Sequence, residues 1–212
     1  MPPPSRAGAS FLFARPTVVL VESEAYDDEA GEPQRPMGFV VDEDRGSLPY
    51  RLIHGEALVA SAAWAMGEAG VDLVDVTVPW HVLADLGRPL MLHDPLCPMT
   101  PPSFLTECAR VAAARNAVVV GVRPVTDTVK EVADGRLGRT IDRDGLVAVC
   151  SPVVLPARVV AALPGHPDTD FVQLVAGLRS SYEVVMVDAP TAARRVASDE
   201  DLQVLERLTD PR

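Results

Sequence analysis

The sequence predicts an α/β domain: a mixed, mostly parallel sheet with helices on both faces. Three observations carry this. Short β-branched runs alternate with segments of helical period along most of the chain. Apolar residues make up 48% of the 212 residues, enough for a sizeable core. No internal repeat is visible, and 212 residues fit one large domain or two small ones after a flexible N-terminal stretch, 1–15.

"TVVLV", Thr17–Val21, reads as a buried strand, and the polar, acidic "ESEAYDDEAGEPQRPMG" that follows reads as loop. Gly38–Val41 is a second short strand. From Gly55 to Gly70, Leu58, Ala62, Ala65 and Met66 recur at helical spacing, and Gly70 suits a left-handed cap. Val71–Val78 reads as a strand stopped by Pro79, and Pro89–Asp94 as another that ends in an acid. Pro101 and Pro102 open a helix that runs through Asn116, proline being favoured in a first turn. Ala117–Val122 is a strand, Leu155–Leu163 and Asp170–Ser181 are helices, and Tyr182–Asp188 is a strand. The last helix starts at Ser198, a hydroxyl N-cap followed by acids that suit the helix dipole.

Composition excludes several partners. Net charge is −11, and no basic stripe stands out to neutralise phosphates, so nucleic acid is not an expected partner. An anionic membrane surface is disfavoured for the same reason, and the longest apolar runs are too short to span a bilayer. Cys97, Cys108 and Cys150 are odd in number and lack metal-site spacing, which favours buried fillers and a reducing cytoplasm. The four histidines are scattered, and Trp64 reads as core or interface.

Lys130 is the only lysine, and it lies in "VTDTVKEVADGRLGRTIDRDGL". Asp134-Gly135 is a hairpin-turn dipeptide between two alternating runs, so Pro124–Leu146 reads as a hairpin. "VTDTVK…TIDRDGL" resembles the cytidylyltransferases that join CTP to 2-C-methyl-D-erythritol 4-phosphate in isoprenoid precursor synthesis. "HDPLCP", "VCSPVVLP" and "ARRVASDEDL" fall in that family's order, from about Gly46 to Leu202. The resemblance implies a single Rossmann-like nucleotidyltransferase domain of the nucleotide-diphospho-sugar transferase type, residues 16–207. It also implies a homodimer in which Pro124–Leu146 is a projecting β-arm that crosses to the partner. By position it places Thr128 and Arg143 on the phosphate of a sugar or polyol, Arg195 beside them, and Asp94 on Mg2+. A guanidinium fork and a threonine hydroxyl suit such a phosphate.

The sequence also departs from the family pattern. That pattern includes a loop of the type Ala-Ala-Gly-x-Gly-x-Arg, followed by Pro-Lys, after the first strand. Taking Thr17–Val21 as that strand leaves Glu22–Glu32, with six carboxylates and no cation, where backbone amides should cradle a triphosphate. A Gly-Gly-x-x-Arg-x-x-Ser segment does not fit before His93. The family's arginine in its His-Asp-Ala-Ala-Arg-Pro stretch is Cys97, a metal-sharing aspartate is Ala192, and a closing lysine is Arg195.

Alternatives therefore stand side by side. Asp94 binds a metal, or it caps the next turn as an exposed acid. Arg143 binds phosphate, or it pairs with Asp127, Asp142 or Asp144. For the whole chain, one reading is a non-catalytic paralogue with lost or much reduced CTP-dependent activity. It would act as a homodimer or as the dimerising, regulatory partner of an active cytidylyltransferase. The other is a divergent Mg2+-dependent cytidylyltransferase acting on a polyol or sugar phosphate.

Overall fold

The computed structural model describes residues 12–14, 34–126, 128–133 and 135–210. The expected strand Thr17–Val21 and the acidic stretch Glu22–Glu32 lie outside them, as do Asp127 and Asp134 of the arm.

The described chain runs through β1 (Leu12–Ala14), β2 (Met37–Val40), β3 (Leu52–Ile53), β4 (Glu56–Ala57) and α1 (Leu58–Glu68). β5 (Asp72–Leu73), α2 (Trp80–Asp85), β6 (Leu90–His93), α3 (Pro102–Arg115) and β7 (Val118–Pro124) follow. Next come β8 (Val129–Ala133), β9 (Arg136–Ile141), β10 (Leu146–Leu155), α4 (Ala157–Ala162), α5 (Phe171–Leu178), β11 (Val184–Asp188) and α6 (Asp199–Leu208).

The main sheet has the order β11-β7-β10-β6-β2-β5, with β1 against β10. β11 and β7 pair in parallel, as do β6, β2 and β5, and β10 runs antiparallel between the two groups. The sheet is thus mixed and mostly parallel, as the alternating pattern predicts. The two faces separate cleanly because side chains alternate along each strand. Met37, Phe39, Leu90 and Leu92 point to a core shared with α2, α4 and α5. Met91 points the other way, to Met66 of α1 and to Leu105 and Cys108 of α3. A third cluster joins Ile53, Leu58, Leu96 and Val196 to Leu202 and Leu205 of α6.

Gly38 shows how tightly one face is packed. A β-carbon there would lie 2.4 Å from Met66 Cε and 2.9 Å from the Met91 carbonyl oxygen. Only glycine lets α1 approach β2 this closely.

Two local expectations are corrected. Val71–Val78 is a strand only at Asp72–Leu73, because Asp75 Oδ1 accepts from Thr77 N at 2.8 Å and turns the chain. Pro79 then opens a helix, α2, which the strand reading did not anticipate. Trp64 is 64% exposed on the outer side of α1, so it is not a core residue. The last helix begins as expected, with Ser198 Oγ accepting from Asp201 N at 3.1 Å.

Candidate functional site

In a parallel sheet, ligands gather where neighbouring strands end. β2 and β6 end side by side: Val40 pairs with His93, and Val41 N donates to His93 O at 2.8 Å. The chain leaving β2 is Val41–Arg51, and the chain leaving β6 begins at Asp94. Val41–Arg51 therefore borders Asp94, while the expected Glu22–Glu32 lies outside the described residues. The Val41–Arg51 sequence, "VDEDRGSLPYR", holds three acids and two arginines, where Glu22–Glu32 holds six acids and no cation. Gly38–Val41, expected only as a second short strand, was not assigned a ligand-bearing loop. A usable signal was present: a β-branched pair followed by a Gly and a Pro within nine residues.

Asp94 is buried, at 4% exposure, which corrects its reading as an exposed turn cap. It does hold the next turn, since Oδ1 accepts from Leu96 N at 2.9 Å. Its other oxygen, Oδ2, accepts from two guanidiniums, Arg45 Nε at 3.2 Å and Arg195 Nε at 3.0 Å. Arg45 is committed on every side. Its Nη2 donates to Thr169 O at 2.6 Å and its Nη1 to Glu43 O at 3.1 Å. Its side chain is 10% exposed, against 38% for Arg195. Arg195 is held well protonated, its burial outweighed by the Asp94 carboxylate beside it.

Behind Asp94, His93 and Ser151 form a buried pair. Ser151 Oγ accepts from Asp94 N at 2.9 Å, and His93 Nδ1 lies in hydrogen-bond contact with the same oxygen. His93 Nε2 is buried without a partner among the described residues. Burial lowers the His93 pKa to about 4, against a smaller opposing pull from Asp94, so the ring is neutral. Burial also pushes the Cys150 thiol up to about 11, and Cys97 and Cys108 higher than their ordinary range. All three are free buried thiols, too poorly ionised to act as nucleophiles.

Thr128 and Arg143 lie apart from this cluster in the chain, at the foot of the β8–β9 hairpin. Val129 pairs with Ile141, so both residues sit just outside the first rung. Arg143 Nη1 donates to the Thr126 carbonyl, and Asp144 N bonds to Asp142 Oδ1. Among the described residues, no hydrogen bond or ion pair links Thr128 or Arg143 to Asp94 or Arg195. Lys130 is exposed on β8, opposite Thr140.

Above the end of β2, the segment 163–170 closes over the sheet. Trp80 Nε1 donates to Leu163 O at 2.9 Å. The His166 ring leans on Phe39 and Trp80, with centroids at 5.8 and 5.3 Å. Together with the Arg45–Thr169 bond, these contacts hold α4 and α5 to the strand ends.

The Mg2+ implied by the resemblance does not fit this donor set. Mg2+ needs carboxylate lone pairs and room for its waters. Asp94 Oδ2 is already filled by two cations, position 192 is an alanine, and no group of three or more His, Cys, Asp or Glu among the described residues could hold a metal. A cation placed on that oxygen would meet each guanidinium at roughly 4 Å, a repulsion of about 4 kcal/mol per unit charge at an effective dielectric of 20.

A model of the 2-C-methyl-D-erythritol 4-phosphate cytidylyltransferase family matches residues 75–208. This chain belongs to that family. It is 30% identical over 200 residues to the 2-C-methyl-D-erythritol 4-phosphate cytidylyltransferase of Corynebacterium efficiens, covering 91% of this chain and 75% of that one. With the enzyme of the same name from Frankia casuarinae it shares 36% identity over 123 residues, 56% of this chain and 46% of that one. The fold agrees with the crystal structure of the Thermus thermophilus cytidylyltransferase: TM-score 0.61 at 18% identity, covering 84% of this chain and all of that one. A solved 4-diphosphocytidyl-2C-methyl-D-erythritol synthase gives a TM-score of 0.63 at 15% identity.

Laying the family's loop pattern on the loop that borders Asp94 makes the departures specific. Set against that pattern, Asp42 to Leu48 falls on Ala-Ala-Gly-x-Gly-x-Arg, with Pro49-Tyr50 next. Asp44 has φ 59° and Gly46 φ 62°, so both positions set against its glycines have left-handed backbone, and the first carries a carboxylate. Leu48 stands where the arginine would be, and it packs against the third apolar cluster. Tyr50 stands where the lysine would be, and its hydroxyl donates to Asp42 Oδ2 at 2.8 Å. Arg51 is turned away, paired through both nitrogens with Asp199 at 2.9 and 2.7 Å.

Proposed function

We propose that this chain is a family member whose CTP side is degenerate, with cytidylyltransferase activity lost or much reduced. Its retained role is that of a dimerising or regulatory paralogue. The observation that carries this reading is the loop Asp42–Leu48. Catalysis on a triphosphate works through amides and cations placed on phosphate oxygens. In this loop a carboxylate replaces one glycine, a leucine replaces the arginine, and Arg45 is spent on Asp94 and Thr169.

The arm supports the second half of the proposal. β8 and β9 pair only with each other among the described residues. Val132 and Leu137 face each other near the tip at 65% and 74% exposure. A two-stranded ribbon with an exposed apolar pair is marginal alone and gains from a surface to lie on. That surface is a second copy of this chain or an active cytidylyltransferase. Thr128 and Arg143 at the arm's foot remain chemically able to hold a sugar or polyol phosphate.

The test is an assay of pyrophosphate release from CTP, Mg2+ and 2-C-methyl-D-erythritol 4-phosphate, with the Corynebacterium efficiens enzyme as positive control. The proposal expects a rate indistinguishable from buffer. Turnover that tracks protein concentration would refute it.

A further inference from the structure

We propose that Arg45 is a resident cation that takes the place of a divalent metal at Asp94, so that this carboxylate binds no Mg2+ in the native chain. The geometry is that of a built-in counter-ion. One buried carboxylate oxygen accepts from Arg45 Nε at 3.2 Å and Arg195 Nε at 3.0 Å, and the other oxygen accepts from a backbone amide. A carboxylate that accepts these bonds has little left to offer a metal that insists on near-octahedral oxygen ligands.

Arg45 also performs a task that a hydrated metal could not perform in the same way. Its fork reaches three acceptors from three parts of the chain: Asp94 beyond β6, Glu43 within its own loop, and Thr169 before α5. It thus fixes the loop, the strand end and the 163–170 segment in one arrangement. A guanidinium suits this because its donors are rigidly fanned and it is permanently charged. The inference does not depend on the loss of catalysis. Pyrophosphate release that persisted in EDTA would refute the proposed function and leave this assignment standing.

Mn2+ is the probe, read by the loss of its free six-line EPR signal as protein is added. Four proteins are compared: native, D94N, R45Q and the double variant R45Q/D94N. Native and D94N are expected to leave the same free signal up to about 1 mM Mn2+. R45Q is expected to lower the free signal at about 1 mM Mn2+, where the native chain does not, and the double variant to restore it. Sub-millimolar Mn2+ binding by the native chain that disappears in D94N would overturn the proposal. So would a folded R45Q with no Asp94-dependent loss of free signal. If R45Q does not fold, the native and D94N comparison still decides, supported by the native melting temperature with and without about 10 mM MgCl2. An unchanged temperature supports the assignment, and a rise that D94N abolishes refutes it.

Discussion

Removing the carboxylate at position 94 strands Arg45 and Arg195 against a buried strand end. Breaking a buried pair by deleting one partner leaves an uncompensated charge, and here two. Asp94→Ala is therefore expected to lower the unfolding free energy by roughly 3 kcal/mol, read as a fall in urea midpoint without a change in slope. Asp94→Asn keeps the acceptor oxygen and should lose less. His93 gives a pH signature. Unfolded, its ring takes a proton near 6.5; folded, only near 4. Between those values the unfolded chain binds more protons, so stability is full above pH 6.5 and falls as pH drops toward 4. The slope is about 1.4 kcal/mol per pH unit, and the total is up to roughly 3 kcal/mol. Replacing His93 with glutamine should flatten that part of the stability–pH curve. An unchanged slope would mean that other groups set it. At Gly38 an added methyl meets a backbone oxygen that cannot move aside, so Gly38→Ala should destabilise by about 1–3 kcal/mol on denaturant unfolding.

Among the elements, the arm makes the sharpest prediction. Val132→Asp with Leu137→Asp puts two charges at an exposed apolar pair that contributes nothing to the main core. If the arm docks on a partner, light scattering should show the native chain as a dimer and this variant as a monomer with nearly the same melting temperature. A variant of unchanged mass would remove the arm from the interface. Most elements were legible because their signals are local. Ser198 caps α6 through its own side chain, Asp170 caps α5 in the same way, and the β-branched runs became β7 and β11. Where legibility failed, a tertiary or turn effect overrode the pattern. Val71–Val78 has strand composition, but an Asx turn at Asp75 breaks it and a proline starts a helix instead. Trp64 reads as core or interface by residue type, and only the core half is removed: α1 buries Ala62, Ala65 and Met66 and leaves the indole outside.

For the molecule as a whole, the alternation of strands and helices was enough to give the mixed, mostly parallel sheet, and the resemblance carried by "VTDTVK…TIDRDGL" gave the family. The candidate site was only half legible. Asp94 and Arg195 were identified as site residues, and the structure brings them to 3.0 Å. Their common partner Arg45 was missed as a site residue, because which strand lies beside β6 is a long-range fact that no local pattern states. On the proposed reading, Asp44, Leu48 and a committed Arg45, rather than massed acids, keep a triphosphate out. Calorimetric titration of the native chain with CTP in excess Mg2+ tests it most directly. The account predicts no saturable heat up to about 1 mM nucleotide. Saturable sub-millimolar binding of CTP by the native chain would contradict it.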